Sequence, residues 1–165
     1  MLGPLLNPVD ARHRQLIGVY SPRLLELFPP VLSSMGVERA LVVHGRPGMD
    51  EVSVLGPTAA VLVDGDSAER FLIDPREIGL YHPVPGDVAE LSPAMSAEAA
   101  FEILGGKAGA RRDMVVLNAA CGLLAFGAAK DLDMAVRRSE AAIDSGKALR
   151  MMNTYIARTH RSISS

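Results

Sequence analysis

Cysteine is nearly absent from this chain. Cys121 is the only one in 165 residues, so no disulfide can close within the chain, and a reducing compartment is expected. It lies in an apolar helical run and reads as a small buried side chain rather than a nucleophile. Long apolar runs are also missing: no stretch reaches the roughly 18 residues that a membrane span requires. No basic segment followed by an apolar core opens the chain, so no secretory signal is read there. A basic excess is lacking as well. The formal net charge is −2, whereas nucleic-acid binders usually carry a positive surplus. These absences point to a soluble cytoplasmic protein with neither membrane nor nucleic acid as a partner. No internal repeat or low-complexity segment is visible.

What is present is a globular composition, 48% hydrophobic and 22% charged, in a chain long enough for a real core. A single domain is expected over residues 1–158, with residues 159–165 as a tail that frays. The chain opens on Leu2-Gly3-Pro4-Leu5-Leu6, an apolar stretch that needs something to pack on. Gln15 to Tyr20 reads as a short strand, and Ser21-Pro22 as a helix start. Leu24, Leu25, Leu27, Phe28, Val31 and Leu32 form a helical stripe that Pro29-Pro30 should kink or split, and Gly36 is a natural stop. Ala40 to Val43 then has the length and branching of a strand covered on both faces. Strand, helix, strand with short links makes a βαβ unit and a parallel pair. Further on, Thr58 to Val63 and Glu69 to Ile73 flank Asp64-Gly65, a hairpin signal. Residues 81–94 carry three prolines and read as a surface connection rather than a lid. Helices are expected from Ser96 as N-cap to Leu104, over residues 111–126, from Asp131 to Ile143 and from Lys147 to Arg158. In the last of these, Met151, Met152, Tyr155 and Ile156 are expected to pack on the domain. The fold class that follows is α/β, a mixed, mainly parallel sheet flanked by helices on both sides.

The stretch from Arg39 to Thr58 organises the rest. After the buried strand, Gly45, Pro47 and Gly48 break regular structure, and Asp50 and Glu51 follow at once. Two carboxylates at a strand end suit a hard divalent cation such as magnesium, which takes one or two carboxylates and leaves its other positions to water and phosphate. Two acids on a loop are also simply a solvated pair, and the residues alone leave both readings open. His44 at the strand end is read as structural. Asn118, inside the apolar helix, is read as a buried amide bonded to backbone rather than a ligand contact.

Six segments occur in a telling order: LGPLLNP (2–8), QLIGVYSP (15–22), RALVVHG (39–45), GMDEVSVLGPT (48–58), RDMVVLNAA (112–120) and IDSGKAL (143–149). Together they resemble the C-terminal part of anthranilate phosphoribosyltransferase. The resemblance implies the α/β domain of the nucleoside phosphorylase/phosphoribosyltransferase type, truncated at its N-terminus. It implies transfer of phosphoribosyl from phosphoribosyl pyrophosphate to the amine of anthranilate, a step of tryptophan biosynthesis. It also implies Mg2+ held by the family's Asp-Glu pair, which falls here on Asp50 and Glu51. No residue of this chain is expected to act as acid or base. The family's Gly-Thr-Gly-Gly-Asp phosphate loop does not occur in these residues, and Arg12 and Arg14 do not match the arginine that contacts anthranilate. Pro47 stands where an acid is common in the family's turn. The resemblance therefore implies a partial enzyme inactive alone, with a homodimer or association with an N-terminal portion as possible assemblies. A complementing subunit and a non-catalytic binding module of the same fold are the alternatives.

Overall fold

The computed structural model describes Leu5 and residues 13–163, with side chains through Thr159. The strands are β1 (Arg14–Gly18), β2 (Arg39–Gly45), β3 (Thr58–Asp64) and β4 (Ser67–Ile73). They form one sheet in the order β1-β2-β3-β4. Helix α1 (Leu24–Ser34) joins β1 to β2, and α2 (Pro93–Leu104), α3 (Ala110–Ala125), α4 (Leu132–Asp144) and α5 (Lys147–Ile163) follow the sheet.

The two faces of β2 explain the layering. Side chains alternate along a strand, so Ala40 and Val42 point to one face and Leu41 and Val43 to the other. All four are essentially inaccessible to solvent. On the first face Leu24, Leu25, Phe28 and Leu32 of α1 pack on Ile17, Ala40, Val42, Val61 and Val63. On the second, Val116, Leu117, Ala120 and Cys121 of α3 pack on Leu41, Val43, Ala60 and Ile73. The α/β class, the mixed sheet and helices on both sides are therefore as the sequence reads. Leu5 packs against the α1 side of the sheet; the rest of the opening apolar stretch lies outside the described residues.

Several expectations are corrected. The sheet is not mainly parallel among the described strands: only β1 and β2 pair parallel, while β2–β3 and β3–β4 are antiparallel. The cause is the connection after β2, which carries no crossover helix and returns the chain alongside β2 in the opposite sense. Pro29-Pro30 does not split α1. Two donors are lost, but the buried stripe Leu24, Leu25, Phe28 and Leu32 seats both halves on the sheet. Ser21 does not cap α1 with its side chain; its carbonyl accepts from Leu24 N at 3.0 Å. Helix α2 is capped by Ser92 rather than Ser96, with Pro93 in the first turn, and Ser92 Oγ accepts from Met95 N at 3.4 Å. Helix α5 continues beyond Arg158 to Ile163. Met152 and Ile156 are half-buried on it, but Met151 and Tyr155 are 69% and 67% exposed, although the helix borders α4 and α2.

Cys121 is fully buried, and burial pushes its thiol pKa up to about 12. Since the thiolate is the reactive form, iodoacetamide at about pH 8 is expected to label Cys121 only after unfolding. Rapid labelling of the folded chain, followed by mass spectrometry, would contradict this packing.

Candidate functional site at the carboxyl ends of the parallel strands

Strands β1 and β2 run side by side in the same direction, so both present their carboxyl ends to one edge of the sheet. In open α/β sheets that edge is where ligands bind. The segment carrying Asp50 and Glu51 lies across it. Gly45 ends β2, and a tight turn follows, in which Met49 N donates to Gly45 O at 2.8 Å and Gly45 N to Met49 O at 2.9 Å. Arg46 and Pro47 are joined by a cis peptide bond in this turn.

Glycine at two strand ends lets the acid segment sit where it does. A Cβ on Gly18 would lie 1.5 Å from the carbonyl oxygen of Asp50, and one on Gly45 would lie 2.4 Å from that of Glu51. No side chain fits at either place. The backbone of the two acids is thus packed directly on the backbone of β1 and β2.

The chain after the acids is fixed from several sides. Asn118 on α3 closes a two-bond clamp on Val52: its Oδ1 accepts from Val52 N at 2.9 Å, and its Nδ2 donates to Val52 O at 2.8 Å. The same amide donates to Met114 O within the helix. The expectation of an amide bonded to backbone is met, although Asn118 is half-buried at a cleft wall rather than enclosed. Val52 and Val54 enter the core fully buried, and between them Ser53 N donates to Thr58 Oγ1 at 2.9 Å. Ser53 Oγ donates to Arg46 O, which ties the chain after the acids back to the turn before them.

Between these anchors Asp50 and Glu51 are exposed, and among the described residues neither is joined to a Lys or Arg. The carboxyl pKa of Glu51 is raised, first by partial desolvation and then by the adjacent Asp50 charge. Two neighbouring anions without a cation are an oxygen-donor set with unmet charge, which suits a hard divalent ion. Among the described residues no three His, Cys, Asp or Glu side chains converge. An ion here would have to complete its shell from water or a ligand such as phosphate. Glu51 also borders a cleft of about 620 Å³ between α2 and α3, lined by Leu91, Ile103, Met114, Asn118 and Arg111 among others.

His44 is part of the scaffold, as read: its Nδ1 lies 2.7 Å from Val19 O. Arg14 is at the opposite end of β1, where it bonds Phe126 O and Glu38. Arg12 lies outside the described residues. Sequence reasoning missed the contact between His82 Nε2 and Asp113 Oδ2, 2.8 Å apart, which joins the loop after Gly79 to α3. It also missed the roles of Gly18 and Gly45. An isolated glycine inside the strand-like QLIGVY was the available signal for a close approach.

Comparison with known proteins decides the family. Residues 1–149 match the model of the glycosyl transferase family, a/b domain. The chain belongs to this family. It is 42% identical over 160 residues to an anthranilate phosphoribosyltransferase of Syntrophobacter fumaroxidans, covering 97% of this chain and 47% of the relative. A second such enzyme, from Pelotomaculum thermopropionicum, is 42% identical over 156 residues, covering 94% and 45%. Among solved structures, the anthranilate phosphoribosyltransferase of Thermus thermophilus superposes with a TM-score of 0.83 at 34% identity, covering 94% of this chain and 46% of that one. The Saccharomyces cerevisiae enzyme in complex with PRPP and Mg gives 0.85 at 28% identity, covering 94% and 45%. The chain thus spans just under half the length of the curated relatives it matches. These relatives are the enzymes that the six ordered segments resemble.

Gly18→Ala is expected to destabilise the chain by about 1–3 kcal/mol, because a methyl group must displace the Asp50 main chain. Gly122→Ala, inside α3 with nothing within 4 Å of the added Cβ, is expected to stabilise by roughly 0.5–1 kcal/mol. Urea unfolding of both variants tests the pair, and an equal effect of the two would refute the close approach at Gly18.

Proposed function

We propose that this chain carries the metal-holding side of an anthranilate phosphoribosyltransferase site, with Asp50 and Glu51 holding Mg2+. The observation that carries the reading is the exposed, unneutralised Asp50-Glu51 pair, fixed by its backbone across the carboxyl ends of β1 and β2. The likeness to anthranilate phosphoribosyltransferases along nearly the whole chain supports it, as does the S. cerevisiae relative described with PRPP and Mg.

The reaction would move phosphoribosyl from phosphoribosyl pyrophosphate to the amine of anthranilate. Breaking the bond at ribose C1 leaves positive charge on the sugar, as in glycoside cleavage, and negative charge on the departing pyrophosphate. When bound, magnesium supplies charge neutralisation and a fixed geometry to the pyrophosphate oxygens. Asp50 and Glu51 offer the carboxylate oxygens and do not themselves move a proton. Asn118, Gly18 and Gly45 keep the two acids at one place relative to the strand ends. His44 is committed to Val19 O and Cys121 to the core, so neither supplies the chemistry.

The phosphate loop Gly-Thr-Gly-Gly-Asp is not among these 165 residues. The phosphate- and anthranilate-binding groups would therefore come from further polypeptide, in the same protein or in a second chain. Loss of anthranilate fluorescence with phosphoribosyl pyrophosphate and magnesium tests the reading. These residues alone are expected to show no turnover. Supplementing them with the N-terminal half of the S. fumaroxidans enzyme is expected to give turnover that Asp50→Ala/Glu51→Ala abolishes. Turnover by the complemented pair that survives loss of both acids would overturn the assignment.

A further inference from the structure

We infer that Asn118 is a positioning residue for cation binding: from α3 it sets the main-chain path, and so the reach, of the Asp50-Glu51 carboxylates. The inference rests on the metal reading above and adds to it a residue distant in sequence.

The argument is geometric. Within the stretch from β2 to β3, the contacts around the acids are local: the Gly45–Met49 bridge, Ser53 N to Thr58 Oγ1, and Ser53 Oγ to Arg46 O. Gly18 and Gly45 seat the loop's backbone on the strand ends, and His82 N donates to Val54 O at 2.9 Å. The hydrogen bonds between Asn118 and Val52 join residues 66 apart in sequence and tie the loop to a different layer of the fold. They engage both the N–H and the C=O of the residue directly after Glu51. A single side chain bonded to both groups fixes the rotation of that peptide pair as well as its place. It thereby fixes the direction in which the preceding side chain leaves the backbone. Asn118 can do this because it is itself held: Nδ2 also donates to Met114 O, which settles the orientation of the amide. Helix α3 is in turn seated on the sheet by Val116, Leu117, Ala120 and Cys121. Its position is therefore transmitted to the residue beside the acids through this amide as well as through the core packing of Val52. Groups that orient a metal's ligands without touching the metal commonly change its affinity 10- to 100-fold when removed.

The test uses Mn2+ as the probe, read by electron paramagnetic resonance on the purified chain, with hydrogen exchange of the Val52 amide and the thermal midpoint measured alongside. Asn118→Leu keeps the size of the side chain and removes both bonds. It is expected to weaken Mn2+ binding by roughly tenfold or more and to speed exchange at Val52. Val63→Ala, a core change on the opposite, α1 face of the sheet, is expected to lower the thermal midpoint while leaving Mn2+ affinity unchanged. Asn118→Ala serves as the second variant should leucine disturb the helix, and the same loss is expected of it. Mn2+ affinity that depends on Asp50 and Glu51 but is unaltered in both Asn118 variants would overturn the role of Asn118 and leave the metal reading intact. Equal Mn2+ affinity of the wild-type chain and Asp50→Ala/Glu51→Ala would overturn both.

Discussion

Between Gly18 at the end of β1 and Gly45 at the end of β2 there is room for a backbone and for no side chain. The main chain of Asp50 and Glu51 occupies that space. Everything else about the site depends on this contact. Parallel pairing of β1 and β2 brings the two glycines to the same edge of the sheet. The turn from Gly45 to Met49 reverses the chain in time to cross that edge. The valines after the acids then plunge into the core, with Ser53 and Thr58 bonded to each other where no water reaches. The result is a pair of carboxylates that are solvent-exposed at their tips and rigidly seated at their backbones.

That combination has an electrostatic consequence. Adjacent carboxylates on a mobile loop would swing apart and lose most of their repulsion to water. Here the backbone of both acids is fixed, and Glu51 also borders the cleft beside α2; desolvation and then the Asp50 charge disfavour its ionised form. The fold thus holds two like charges in a place where a cation would relieve them. Polar support of this kind is costly to leave incomplete, since each buried donor or acceptor without a partner costs roughly 1–3 kcal/mol. It is complete here at Val52, Ser53 and Thr58.

Helix α2 contrasts with α1 and α3. Neither face of α2 has a buried residue, whereas α1 and α3 each bury a stripe on the sheet. Its Leu104 packs against the core cluster, and two clefts border the helix. The loop before it is tied to α3 by His82 with Asp113 and by Arg111 with Ala89 O. One wall of the cleft beside Glu51 is therefore a helix with no buried residue, while the backbone of the acids is packed directly on two strand ends.

Local chemistry alone settled much of this protein. The branched run Ala40 to Val43 made β2 a central strand, Asp64-Gly65 made the β3–β4 hairpin, and the adjacency of Asp50 and Glu51 after a glycine-rich turn marked the candidate site. These are short-range properties, and they are written in consecutive residues. The sense of β3, the survival of α1 through Pro29-Pro30 and the exposure of Met151 and Tyr155 were decided by which surfaces meet. No window of sequence contains that information. Asn118 shows the division most clearly. Its sequence neighbourhood announced a buried amide bonded to backbone, but only the packing of α3 on the sheet brought it to Val52, beside the acids. A hydrogen bond across 66 residues is fixed by where two layers come to rest, and that is a property of the whole fold.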